Sequence, residues 1–437
     1  MECVQVERKS VYSFYARMIV VSLCLLAIRT ESSPLSENTY LNAVELLTTF
    51  SGERAEQYEP FFQFSDETRI VGVEIHAAGT DDTDARYYAG TEVWKQINNI
   101  LRITTADGFE GISGVVSENQ GEFSDEHLLE LQSVTTDLLA LRSLDPVEVG
   151  TMLERTRPDL SDASRANIDI ALWDLAARRA GLPLYELLGA KRDSIEPYAS
   201  LPFYDSLPEY VEAVNNYAKL GYRTFKFHVW GLIEEDSKLV KLIQQTFAVS
   251  PYQFMIDLEG AYDFEDALRL GGEMDERFFI WLEGPIDDKL LEQYMELKSR
   301  LALPIIPAGY NIYSPEFIRQ GIKTGSWDAG RFDATTIGGI SKALELLIIA
   351  NDAELSIELQ SWGHSLAQAA NLHLMLANER TKYFEASMPK EAYEFGMKNG
   401  NLLDQGQVVA PELDGLGIEV DWDNLTMADF YIKIVAP

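Results

Sequence analysis

From residue 69 the chain alternates. In RIVGVEIHAA, residues 69–78, apolar and polar positions change every residue, the period of a half-buried strand. WKQINNILRITTADGFEGISGVV, residues 94–116, holds two apolar runs around Ala-Asp-Gly, which predicts a hairpin. The polar, Gly-bounded stretch 78–91 between them reads as a loop carrying Tyr87 and Tyr88. From about 124 to 181 the spacing becomes helical. Asp145 and Pro146 open one helix as N-cap and first residue, and SDASRANIDIALWDLAARRAG ends another on Gly181. Strands followed by helices predict an α+β N-terminal domain over residues 68–190.

After residue 194 short apolar runs alternate with amphipathic stretches. The runs are IEPYASL, YRTFKFHV, YQFMIDL, FFIWLEG, LPIIPAG, SWDAGRFD, LSIELQS and TKYFEAS. Eight such runs predict a (β/α)8 barrel over residues 191–398, its strands apolar throughout as parallel strands are. The Gly/Pro-punctuated tail, residues 399–437, is expected to fold back onto the first domain.

Active sites of such barrels lie at the C-terminal strand ends. In strand order these carry Lys226 and His228, Asp257 and Glu259, Glu283, Tyr310 and Asn311, Asp333, Gln360, and Glu385. Lys226 and His228 are two apart and share a face, as do Asp257 and Glu259. Carboxylates on consecutive strands raise each other's pKa unless a cation joins them, and oxygen ligands point to Mg2+ before Ca2+. Taken singly, each of these acids also reads as a helix cap or a solvated charge.

Composition narrows the partners. The 437 residues are 46% hydrophobic and 24% charged, ordinary for a globular chain, with a net charge of −34. So much acid repels phosphates and argues against nucleic acid. It also means that an anionic substrate needs local cations. Cys3 and Cys24 both lie near the start, so the main body has neither a disulfide framework nor a Cys-based metal site. Arg8, Lys9 and Arg17 precede the apolar run 18–28, with polar residues after it. That is the order of a secretory signal, and equally of an extension, so the compartment stays open between cytoplasmic and exported. The run is too short to span a bilayer, and no membrane insertion of the mature domain is expected. Residues 1–67 are set apart as an N-terminal extension.

Taken in order, several segments resemble one family. ANIDIALWDLAARRAGLPLYELLGAKRDSIEPYAS resembles the entry into the barrel of the enolase superfamily, mandelate racemase/muconate lactonizing enzyme group. GYRTFKFHVWG resembles its K-x-K strand, MIDLEGAYDFEDALRL its first metal-ligand segment, and WLEGPIDD its second. FDATTIGGISKALELLIIA and GLGIEVDWDNL resemble its sixth strand and closing tail, and the likeness runs over about residues 69–425. The resemblance implies a modified TIM barrel capped by an α+β domain built from the N-terminal region and the C-terminal tail. It implies Mg2+-assisted removal of the proton next to a carboxylate, through an enediolate. It makes Asp257 and Glu283 metal ligands, gives Lys226 the substrate carboxylate and its developing charge, and sets His228 where a base stands. Asp333 falls where the family places the Asp of an Asp–His dyad. A homo-oligomer is also implied.

Two positions depart from the pattern. Tyr310 follows Gly309 where a Glu ligand is usual, leaving Glu259 and Asn311 as candidates for the third ligand. Gln360 stands where a His is usual; His364 lies four residues on, in what reads as an exposed loop. His373 reads as packed in a helix, His127 as surface, and His76 as lining the capping side. Without a second proton carrier, racemisation is disfavoured. One base serving also as acid is enough for a dehydratase, so dehydration of a sugar acid or other hydroxy acid is expected. Tyr310, Glu385, Tyr87 and Tyr88 are the expected substrate contacts. A racemase, epimerase or cycloisomerase, and a catalytically silent binding relative, are the alternatives.

Overall fold

The computed structural model describes residues 42–52, 55–81, 86, 93–120, 123, 126–309, 315–400, 403–404 and 406–436. The segment 18–28 and the residues Tyr87, Tyr88, Tyr310 and Asn311 lie outside them. Among the described residues no helix is long and apolar enough to cross a membrane.

The first sheet holds β1 (Ile70–Gly79), β2 (Trp94–Thr105) and β3 (Glu110–Gln120) in antiparallel order. The expected hairpin is β2–β3, with Thr104 opposite Glu110. The tail returns as β14 (Phe430–Val435), which pairs antiparallel with β1 and becomes the edge strand. Three helices pack behind this sheet: α2 (Glu126–Leu139), α3 (Pro146–Thr156) and α4 (Asp162–Ala180). Asp145 caps α3 by accepting from the Val147 and Glu148 amides, at 2.9 and 3.1 Å. Gly181 ends α4 at φ 66, where a side chain is strained.

One helix precedes the sheet. α1 (Ala43–Ser51) falls within the stretch set apart as an extension, yet its residues Ala43, Leu46 and Leu47 are buried in the main core. Its Ala43 amide donates to Asp145 at 2.9 Å, so one carboxylate caps α3 and anchors α1. Phe62 packs edge-on against Trp173, ring centroids 5.4 Å apart. The extension is therefore shorter than 67 residues, because an apolar helical face before the first strand has a core to join. Leu47→Ala is expected to cost about 2–5 kcal/mol, read by urea unfolding. A loss of a few tenths would mean that α1 is not part of the cooperative fold.

The barrel strands are β4 (Ser194–Leu201), β5 (Thr224–His228), β6 (Gln253–Asp257), β7 (Phe279–Glu283), β8 (Ile305–Ile306), β9 (Ala329–Phe332), β10 (Ser356–Leu359) and β11 (Tyr383–Ser387). They match the eight apolar runs. β4 to β8 pair in parallel sequence, β11 closes onto β4, and β9 pairs with β10. Six helices alternate with the strands from β4 to β10, among them α5 (Leu207–Lys219); α11 (Ser365–Leu376) follows β10. Between barrel and tail, β12 (Leu403–Asp404) and β13 (Gln407–Val409) form a hairpin whose Val408 and Val409 pair with the start of β4. This part of the tail stays on the barrel before the chain crosses to the capping sheet.

Candidate active site

Inside the barrel an apolar layer comes first: Tyr198, Met255, Trp281, Ile306 and Ala329, with Tyr383 against it. Side chains two residues further along share the same face. They are Ser200, Asp257, Glu283, Arg331 and Glu385, and β5 adds Lys226, in register with Ser200. A charged layer therefore lies on an apolar one. Two residues further again, at the rim, stand His228, Glu259 and Asp333.

The charged layer is closed on itself. Lys226 Nζ lies 3.0 Å from Asp257 Oδ2, 2.9 Å from Glu283 Oε1 and 2.8 Å from Glu385 Oε1. Arg331, fully buried, stands 2.9 Å from Glu283 Oε1 through Nε, a charge contact off the hydrogen-bond line. It donates through one terminal nitrogen to Glu385 Oε2 at 2.7 Å and to the Tyr198 hydroxyl at 3.3 Å. Trp281 Nε1 donates to Glu283 Oε2 at 3.0 Å, and the Ser200 hydroxyl to Glu385 Oε1 at 2.8 Å. Burial works against the charge on Lys226, but Asp257, Glu283 and Glu385 outweigh it and hold its pKa well above the ordinary value. Burial likewise opposes ionisation of Glu385, and Lys226 and Arg331 hold it well below the usual carboxylate range. Such charges are tolerated inside a protein only when so paired.

His228 is set by its other nitrogen. Nδ1 lies 2.7 Å from the Leu201 carbonyl oxygen, so Nδ1 carries the hydrogen and Nε2 faces the rim. Tyr210 of α5 fixes the strand there by donating to the His228 carbonyl at 2.6 Å. Nε2 stands 3.5 Å from Asp257 Oδ2 and 3.6 Å from Glu259 Oε1. Burial lowers the affinity of the ring for a proton, but Glu259 and Asp257 more than offset this and raise its pKa. Glu259 adopts φ 52, an uncommon conformation for a non-glycine residue. Its amide donates to Asp257 Oδ1 at 3.1 Å, and the turn so formed brings its carboxylate back to the rim.

The donor set decides where a cation fits. Three such atoms facing one another repel unless a proton on Nε2 or a cation lies among them. The ligand atoms of His228, Asp257 and Glu259 lie within 4.8 Å of one another, close enough for one cation to lie among them. Glu283, expected as a ligand, is placed differently. Lys226 and Arg331 hold one of its oxygens and Trp281 the other, and the space between it and Asp257 holds the Lys226 ammonium.

The remaining expected residues divide. Glu385 belongs to the buried layer, 1% exposed, held by Lys226, Arg331 and Ser200 rather than turned toward substrate. Asp333 Oδ1 accepts from the Thr335 amide and from Asn371 Nδ2, both at 2.7 Å, and burial raises its pKa to about 6. Gln360, half-buried, is tied through its amide to the Phe332 carbonyl at 2.9 Å. His364 is not loop-exposed: it is buried at the start of α11 against the Tyr393 ring. His127 is also buried, 2.9 Å from Asn167 Nδ2, because α2 packs that face on α4. His373 is packed in α11 as expected. Arg331 was missed. The signal for it was parity: it lies two residues before Asp333, as Lys226 lies two before His228.

Residues 209–424 match the enolase C-terminal domain-like family, and residues 75–189 match the mandelate racemase / muconate lactonizing enzyme N-terminal domain. A solved structure of that group from Pseudovibrio is 32% identical, with TM-score 0.80, covering 84% of this chain and 99% of the other. L-talarate/galactarate dehydratase of Salmonella typhimurium is 29% identical over 57% of this chain and 64% of its own length. Its structure liganded with Mg and L-lyxarohydroxamate aligns at TM-score 0.74 and 24% identity, over 84% of this chain and 95% of the other. The o-succinylbenzoate synthase of Enterococcus faecalis is 27% identical over 77% of this chain and 92% of its own. With both of its domains matched in order and one relative followed almost end to end, this chain belongs to the mandelate racemase/muconate lactonizing enzyme group of the enolase superfamily.

Proposed function

We propose that this enzyme removes the proton next to a substrate carboxylate and dehydrates a hydroxy acid, most simply a sugar acid. One observation carries the reading. His228 presents Nε2 at the rim, one layer above Lys226, whereas β10 is followed by Gln360, which does not titrate. A single carrier can take the proton and return it to a departing hydroxyl on the same side. Racemisation requires a second carrier on the other side of the carbon.

The family implies Mg2+, and the rim fits it. Asp257 and Glu259 each turn a carboxylate oxygen to the rim beside His228 Nε2, the hard oxygen donors that such an ion prefers. Asp257 and Glu259 would hold it. When bound, Mg2+ supplies the positive charge that draws in the substrate carboxylate and stabilises the enediolate. Lys226 contributes from below: its ammonium, fixed by three carboxylates, holds Asp257 Oδ2 at 3.0 Å and keeps that side chain aimed. The Leu201 carbonyl keeps the His228 Nε2 lone pair directed at the substrate.

The test is incubation in deuterated water with hexaric and aldonic acids, followed for exchange next to the carboxylate and for keto-acid product. Neither signal from any acid would overturn the reading. Calorimetric titration checks the ion separately. Asp257→Asn and Glu259→Gln should each weaken Mg2+ at least about tenfold, and Glu283→Gln should leave it largely unchanged. The reverse order would put the ion on Glu283.

A further inference from the structure

Among the buried side-chain atoms of the described residues that lack hydrogen bonds, four belong to two amides on one face of one strand. Gln96 and Asn98 of β2 are 0% and 2% exposed, and neither amide uses its nitrogen or its oxygen. Folded proteins seldom leave even one such atom unpaired without a reason.

The face they share looks toward the barrel rim. Asn98 is opposite Val116, and Gln96 opposite Glu118, on β3. A Cβ on Gly114, one step back on that face, would lie 2.7 Å from Leu366 Cβ and 2.8 Å from Asn98 Oδ1. Glycine there leaves room for the amide. A Cβ on Gly363 would lie 3.1 Å from Val116 Cγ2. The face therefore runs over the first turn of α11 and the loop after β10, at the C-terminal end of the barrel strands. Glu118 is the next step along it. It is solvent-exposed at this edge.

We propose that Gln96, Asn98 and Glu118 form the recess that binds a polyhydroxylated chain. Each amide offers a donor and an acceptor side by side, and a vicinal diol answers both. An anion would satisfy the two nitrogens and repel the two oxygens. An alkyl chain would leave all four atoms unpaired. Glu118 accepts from a further hydroxyl. As the far subsite of the acid whose proton His228 removes, the recess rests on the function proposed above, and it narrows the substrate to a sugar acid rather than an aromatic or aliphatic one.

Calorimetry on the full chain with Mg2+ tests it with three probes: a hexaric acid, adipic acid (the same chain without hydroxyls) and galactitol. The wild type should bind the hexaric acid at least about tenfold more tightly than adipic acid, since a site built for hydroxyls rejects the analogue lacking them. Gln96→Leu and Asn98→Leu should each remove that preference without weakening adipic acid, and should abolish binding of galactitol. Unchanged hexaric-acid binding in the leucine variants would show that the amides hold internal water, and would overturn the proposal. Should those variants misfold, Glu118→Leu, at the wet edge and without an acceptor, decides: weakened hexaric-acid binding supports the recess, and unchanged binding overturns it. The two readings fail separately. Galactitol binding without proton exchange from any acid keeps the recess and ends the proposed reaction. Exchange with no preference between hexaric and adipic acid keeps the reaction and ends the recess.

Discussion

His228→Ala is expected to lower proton exchange next to the substrate carboxylate by about 10²–10⁴-fold, the usual contribution of a positioned general base. The reason is placement. Asp333 is occupied by Thr335 and Asn371, and Lys226 is locked as an ammonium among three carboxylates. Neither can take over. The substitution leaves the Leu201 carbonyl without its donor, but the Tyr210 bond is to the His228 backbone and survives. The variant should therefore fold, and a near-ultraviolet circular dichroism spectrum like that of the wild type checks this. Exchange in deuterated water is the decisive readout because it sees proton removal whether or not a hydroxyl leaves. Exchange at the wild-type rate in a folded His228→Ala protein would place the base elsewhere. Loss of product with exchange retained would make His228 the acid for the leaving group instead.

Much of this site is legible in the sequence because a strand has a period of two. Lys226, Asp257 and Glu283 could be placed at strand ends and on one face before any coordinates. Their partners could not. Which acceptor Lys226 meets depends on reach across strands, and the contacts of Glu283 depend on Arg331 and Trp281, which arrive from neighbouring positions. Arg331 was hidden in a run that reads as apolar, Ala329 to Phe332. Gln96 and Asn98 were hidden differently. In an alternating strand, polar positions read as the solvent face, and only docking of the barrel turns that face inward. α1 escaped for a similar reason, since its apolar face has meaning only beside the core it covers. In each case local pattern fixed the element and tertiary contact decided its use.

The second large effect concerns stability. Arg331→Met should destabilise the protein by about 3–5 kcal/mol near neutral pH, the cost of leaving buried charges uncompensated. Methionine nearly fills the volume, so the loss is electrostatic. Glu283 and Glu385 would share Lys226 alone, and their pKa values in the folded state would rise, Glu283 from about 8, where burial already holds it, and Glu385 from its depressed position toward the ordinary value of about 4.3. Above that value the folded variant holds more protons than the unfolded chain, so its stability falls as pH rises. The deficit relative to wild type should be small in acid, grow toward about pH 4.3 as Glu385 ionises in the wild type alone, and grow again above about pH 8 as Glu283 does, as urea unfolding at several pH values would show. Glu283→Gln added to Arg331→Met should recover part of it, because the two side chains are in contact and their effects are not additive. A deficit below about 1 kcal/mol, the scale of exposed ion pairs, would mean that Arg331 does not engage Glu283. Glu283 would then have a free oxygen, and the reason for placing the cation on Asp257 and Glu259 would fall with it.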